Sequence, residues 1–203
     1  MRESRPDGTS RSVREPPSDI ERAVYGGFNK LHGESDEGII YDDPKAPLPR
    51  VLVQVWRGRR RWLTRTPTRF ATVGVSTKPM PGSNERRELE LLARCDQTDE
   101  RGLAALLANL ACYPFEHGLE LKENELVLVG SIPRFPSCDG IALFRGIDGA
   151  AVDHVHFRGE AIGVLTAVPV TANERELLRT SGLAGLEAEW QRRSVDRYVD
   201  RAS

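Results

Sequence analysis

Ala161-Ile-Gly-Val-Leu-Thr-Ala-Val-Pro-Val-Thr-Ala-Asn-Glu174 is the stretch on which the fold turns. Ala161 to Val168 is rich in Val, Leu and Ile and continuous enough to predict a central strand, buried on both faces. With Pro169 and Val170 it forms the longest apolar run of the chain, about half the ~20 residues that a membrane span needs. Thr171 and Glu174 then stand at the spacing of a capping box, in which each side chain satisfies a backbone N–H of the other, so the chain passes from strand directly into helix. Gly182 closes that helix. A second one follows, with Leu183, Leu186 and Trp190 on one stripe that packs on its own domain.

Outward from this centre, Leu126 to Val129 and Ile141 to Phe144 read as strands that complete the core sheet. Further upstream Val51, Val53 and Val55 alternate with Leu52, Gln54 and Trp56, which predicts a strand. Trp62 to Thr66 and Phe70 to Thr77 follow as two more, with breaks at Gly58 and Pro67. Gly74 marks a bulge or a close approach of backbone. Leu89 and Leu91 alternate with Glu88 and Glu90, the pattern of a half-exposed strand. Helices are expected from Ser18, where Ser18 and Glu21 repeat the capping-box spacing ahead of Ile20, Val24, Phe28 and Leu31, and from Thr98, ahead of Leu103, Leu106, Leu107 and Leu110. Gly33 ends the first and Pro114 the second. The stretch with Asp42, Asp43, Pro44, Pro47 and Pro49 reads as a polar linker. Together these elements predict an α+β domain with a mixed, largely antiparallel sheet packed with helices.

Composition narrows the function classes. With 39% hydrophobic and 29% charged residues the 203-residue chain reads as one globular domain. Residues 1–17 are expected to be a disordered N-terminal tail, 18–195 the domain and 196–203 a frayed C-terminus. The tail lacks the apolar core of a secretory signal. Cys95, Cys112 and Cys138 are odd in number and far apart, which argues against disulfides and zinc and for a reducing, cytoplasmic compartment. Arginine supplies nearly all the positive charge, as a GC-rich bacterial genome would produce. Residues 50–69 hold seven arginines and no acid, so one basic segment sits in an otherwise acidic protein whose formal charge is −1.

Motifs for chemistry are missing. There is no GxSxG, no phosphate-cradling GxxxxGK[ST] and no cysteine in a nucleophile context, so no enzyme activity and no cofactor are expected. Burial is the expected fate of Cys112, and the adjacent Asp96 and Asp139 oppose ionisation of Cys95 and Cys138. Asp153, His154 and His156 have metal-ligand types on one strand face but lack further ligands, and read as an exposed hairpin. His32 and His117 read as helix-terminal histidines. Trp56, Arg59, Arg60, Arg61 and Trp62 are the candidate partner-binding residues. Charge beside stacking rings would suit single-stranded nucleic acid as an alternative, and an arginine patch that meets a protein is the preferred reading.

Three ordered segments resemble the Suppressor of fused domain family. They are Phe70-Ala-Thr-Val-Gly-Val-Ser-Thr-Lys-Pro-Met80 with Glu88-Leu89 after it, the helix from Thr98 through Pro114 leading to the Leu126 strand, and Val164 to Glu174 with Leu177, Leu178, Gly182 and Leu183. The dense arginine run between Val51 and Phe70 departs from the family pattern. The resemblance covers about residues 18 to 190 and implies a single domain of packed sheet and helices that sequesters a protein partner. Animal members hold Gli-type transcription factors, while short bacterial members are considered immunity proteins that neutralise toxin domains. At this length the second domain of the animal proteins is not expected. For this chain the resemblance therefore implies an antitoxin that binds a toxin domain encoded nearby.

Overall fold

The run around Val164 forms strand β10, Glu160–Thr171, in the computed structural model, which describes residues 16–61, 64–147 and 152–201. In chain order the elements are α1 (Asp19–His32), β1 (Glu37–Asp42), β2 (Arg50–Trp56), β3 (Arg60–Arg61), β4 (Thr64–Arg65), β5 (Thr68–Val73), β6 (Arg87–Ala93), α2 (Gln97–His117), β7 (Leu126–Leu128), β8 (Cys138–Phe144), β9 (His154–Phe157), β10 and α3 (Ala172–Arg192). The main sheet runs β1-β2-β5-β6-β10-β8-β7, with β9 paired to β10, while β3 and β4 form a separate small hairpin. Among the described strands only β6 and β10 pair in parallel, Leu89 opposite Leu165. Every other described pairing is antiparallel. The α+β expectation holds, and β10 is an interior strand, between β6 and β8.

Both expected capping boxes are present. Glu21 N–H donates to Ser18 Oγ at 3.3 Å and Ser18 N–H to Glu21 Oε2 at 2.7 Å. Thr171 and Glu174 repeat the exchange at 3.3 and 2.8 Å. Helix α2 differs from expectation at both ends. Its cap is Asp96, whose Oδ1 accepts the N–H groups of Thr98 and Asp99, which leaves Thr98 inside the first turn. Pro114 does not stop it, because a proline so near the end forfeits only one helical bond, and the helix runs on to His117 until Gly118 takes a left-handed φ of 65°. Gly182, at φ 67° and ψ −172°, divides α3 into two helical stretches.

Three other departures have local causes. The expected linker contains β1, because Ile39 and Tyr41 alternate onto the core and the prolines are confined to the stretch after Asp43. Strand β5 ends at Val73 rather than Thr77. Gly74 there adopts φ 117°, and a Cβ on it would lie 3.0 Å from the Arg50 carbonyl oxygen, the close backbone approach its presence suggested. Residues 196–201, expected to fray, are bonded to the body. Arg94 N–H donates to Tyr198 O at 2.7 Å, Ser137 N–H to Asp200 at 2.9 Å, and Arg201 to Glu174 at 3.0 Å.

Each face of the sheet has its own packing. On one, α2 covers Val51, Val53, Val55, Phe70, Leu89, Leu91, Leu143 and Leu165 in a single cluster. On the other, α1 packs Val24 and Phe28 on Ala71, Val73, Val155, Ile162 and Val164, and α3 packs Leu186 and Trp190 on Ala142, Phe144, Val168 and Val170.

Candidate functional site

Trp56 is 8% exposed and packs in the α1 cluster against Phe28 and His32, with its indole N–H donating to Gly33 O at 2.9 Å. It is not the exposed stacking ring the sequence suggested. Alternation in β2 explains why: Trp56 follows Leu52 and Gln54 on the α1 face. Trp62 lies outside the described residues, as do the side chains of Arg60 and Arg61, while Arg59 is exposed. Three other arginines of the basic segment are committed internally. Arg50 donates to Glu21 at 2.7 Å, Arg57 holds Glu37 and the buried Glu100, and Arg69 pairs with the fully buried Glu90. The segment is therefore less available as a charge patch than its composition implies.

The titratable pair the sequence reading missed is Glu88 and Glu90, both 0% exposed on β6. Alternation with leucine suggested exposure, but Glu90 Oε1 accepts from Thr166 Oγ at 2.9 Å and from Val152 N–H at 3.0 Å, besides the Arg69 pair. Glu88 accepts from Gly74 N–H, Ser76 N–H, Ser76 Oγ and Thr72 Oγ at 2.6 to 3.1 Å. Burial raises both carboxyls above their usual range, Glu88 to about 7, against the lowering by these donors. These groups are committed to holding strands and loops together.

An open hollow of about 580 Å³ lies where β6 begins and the β9–β10 hairpin projects. Its walls are Asn84 to Arg87 on one side and the hairpin residues His154, His156 and Ala161 on the other, with Arg145 at its margin. Pairing places His154 opposite Gly163 and His156 opposite Ala161, so both rings share one face, 4.7 Å apart. Gly163 in turn pairs with Arg87, and a Cβ there would fall 2.6 Å from Arg87 Nη1, so glycine makes room for the guanidinium. The Arg87 side chain is 7% exposed and pairs with Glu85, yet its Nε is buried with no hydrogen-bond partner. Gly163 N–H donates to Arg86 O at 3.0 Å, and along the strand Ala161 turns its own N–H and C=O towards that side, where β6 no longer runs.

Chemically the hollow offers charge-assisted donors and an open strand edge. Asp153 Oδ1 lies 2.6 Å from His154 Nδ1 at an exposed position, and no group of three or more side chains able to hold a metal gathers among the described residues. Burial raises the Cys112 thiol and pushes Cys138 up to about 11, for Cys138 the direction expected, though burial outweighs the neighbouring Asp139 as its cause. Among the described residues no helix is long and apolar enough to cross a membrane.

Comparison with known proteins places the fold. Solved structures that resemble this one include a SUFU homolog from Neisseria gonorrhoeae FA 1090, 16% identical over 91% of this chain and 96% of that one, with a TM-score of 0.67. The Sufu–Fu complex matches at 14% identity over 92% of this chain and 90% of its own, with a TM-score of 0.64. Drosophila Suppressor of Fused matches at 13% identity and a TM-score of 0.64, over 91% of this chain but 50% of its own length. A search of curated proteins finds no match. These identities speak for the fold alone, but the family model of the Suppressor of fused protein matches residues 58–202, well over half of the sequence, and this chain belongs to that family.

Proposed function

We propose that this chain is a non-enzymatic protein-binding domain, a bacterial cytoplasmic immunity protein that sequesters a toxin domain encoded nearby. The observation that carries the binding reading is the hollow beside β10, which the Arg87 side chain and the open strand edge at Ala161 line together. A guanidinium and a strand edge together suit an extended polypeptide, which supplies carbonyls for both. A relative of the same fold is solved as the Sufu–Fu complex, and another comes from a bacterium, which supports a protein partner and a bacterial setting. Outside its basic segment the chain carries 22 basic against 30 acidic residues, a balance suited to covering a basic toxin.

Co-purification of the full chain from its native host tests this reading. A stoichiometric protein encoded by a neighbouring gene is expected. It should be lost with Arg145→Glu, a half-exposed position at the margin of the hollow. Recovery of the chain with no protein in stoichiometric amount overturns the proposal.

A further inference from the structure

A second exposed strand edge among the described residues is β1. It ends the sheet, and at six residues it is longer than the three-residue β7 at the opposite end. The bond from Asp43 N–H to Pro49 O, 3.1 Å, fixes the phase of the β1–β2 ladder. Glu37, Ile39 and Tyr41 thus bond inward to β2, and the N–H and C=O of Gly38 and Ile40 face outward. No described strand pairs with that side. Gly38, Ile40 and Asp42 are exposed, Ile40 by 43%. A row of unpaired backbone groups of this kind is a template for another strand.

Charge decides which strand. Glu34, Asp36, Glu37, Asp42 and Asp43 flank or belong to β1, and the stretch from Glu34 to Asp43 contains no basic residue. Arg57 offsets Glu37, while Glu34 and Asp36 before the strand and Asp43 after it place negative charge at both ends of the edge. A second copy pairing antiparallel about Ile40 would set Asp43 opposite Glu37, acid against acid, so self-association along this edge is opposed. A segment with alternating basic side chains meets the opposite field at both ends. The strand also precedes residue 58, where the match to the family model begins.

We propose that the outer edge of β1 docks a basic, extended segment of the protein partner, which joins the sheet as an added strand; this rests on the protein-binding reading above. The probe is a synthetic heptapeptide alternating lysine and valine, with a glutamate–valine peptide as its counterpart. Amide hydrogen exchange of the full chain, followed by NMR, should slow at Gly38 and Ile40 with the basic peptide and not with the acidic one. Ile40→Pro removes one outward N–H and leaves the inward bonds intact, and should weaken the peptide about fivefold. Glu34→Lys with Asp43→Lys cancels most of the negative charge along the edge without removing a backbone donor and should weaken it by more, which covers the case of a poorly folded proline variant. Protection elsewhere, no binding, or equal binding by both variants overturns the proposal. If the native partner still co-purifies while Gly38 and Ile40 stay unprotected, the edge is wrong and the protein-binding reading stands. If the amides are protected but no partner co-purifies, the edge is supported and the partner reading falls.

Discussion

Against α2 the sheet presents one aliphatic layer, from Val51 and Val53 through Phe70, Leu89 and Leu91 to Leu165 and Leu143. Against α1 and α3 it presents two smaller apolar clusters, and Arg69, Glu88, Glu90 and Thr166 are buried or nearly so on that same face. The aliphatic face contributes stability by burial, and any apolar residue of similar volume would serve it. The polar face fixes geometry. Glu90 holds Val152 N–H, the residue directly before Asp153 and His154, so the buried carboxylate positions the strand that walls the hollow. The walls of the hollow are thus anchored from the polar face, while the larger aliphatic burial lies on the other.

Phe70 and Arg69 are neighbours on β5 that point to opposite faces, which makes them the sharpest way to break the contrast. Phe70→Ala should cost about 4 kcal/mol, measured by chemical denaturation, because the ring is 0% exposed and leaves a cavity. A loss below about 1 kcal/mol would show that the aliphatic layer collapses freely. Arg69→Ala should cost about 3 kcal/mol for the different reason that buried Glu90 loses its ion-pair partner. Replacing both Arg69 and Glu90 by Met should recover most of that loss, yet loosen the Val152 attachment and raise amide exchange there. A double variant with unchanged exchange at Val152 would mean that Glu90 positions nothing.

Proton linkage separates the faces further, since the Val, Leu and Phe side chains of the aliphatic layer carry no proton to exchange. Glu88 keeps its proton to about pH 7 in the folded chain, whereas an unfolded glutamate releases it near its ordinary value of 4.5. The folded state therefore binds more protons between those limits, and stability falls as pH rises through that window, by about 3 kcal/mol from this group. Below pH 4.5 the contribution is fully present, and above about pH 7 it is lost. Glu88→Gln should flatten that slope in denaturation measured from pH 4 to 8, and a slope unchanged from the parent would assign the effect elsewhere. At the hollow, Gly163→Ala should cost only about 1 kcal/mol, because the group it strikes is the movable end of Arg87, but should weaken partner binding. Unaltered affinity would remove Arg87 from the binding surface.

Features set by nearest neighbours in sequence were legible. The capping boxes at Ser18 and Thr171, the alternation of β2 and the apolar run of β10 all declare themselves within a few residues. Features set by distant partners were not. Glu88 and Glu90 look like solvent-facing residues until Arg69, Thr72 and Thr166 close over them, and those partners come from other strands. Trp56 was drawn into a patch with the arginines after it, although its own strand turns it to the core. Strand β1 was hidden by the acids and prolines beside it, and the hollow by the fact that Arg87 and Gly163 meet only through the parallel pairing of β6 with β10. Cys112 turned out half-buried rather than buried, because the end of α2 that carries it reaches the rim of the core.

The smallest effect tests whether the polar face extends to the helix ends. The α2 cap is local, since the Asp96 side chain accepts only from Thr98 and Asp99 among the bonds that define it. At α3 the capping carboxylate does more: Glu174 takes Thr171 N–H on Oε2, the Trp190 indole N–H on Oε1 at 2.6 Å, and Arg201 at 3.0 Å. Thr171→Ala removes the cap hydroxyl and should cost about 1 kcal/mol, as Asp96→Ala should. Glu174→Ala should cost about 1 kcal/mol more than either, because it also strands a buried indole donor and an arginine whose Nε already lacks a partner. Equal losses in the three variants, read as denaturation midpoints at constant slope, would reduce Glu174 to an ordinary cap. A larger loss for Glu174→Ala would place the start of α3 and the C-terminal residues 196–201 in one cooperative unit with the polar face.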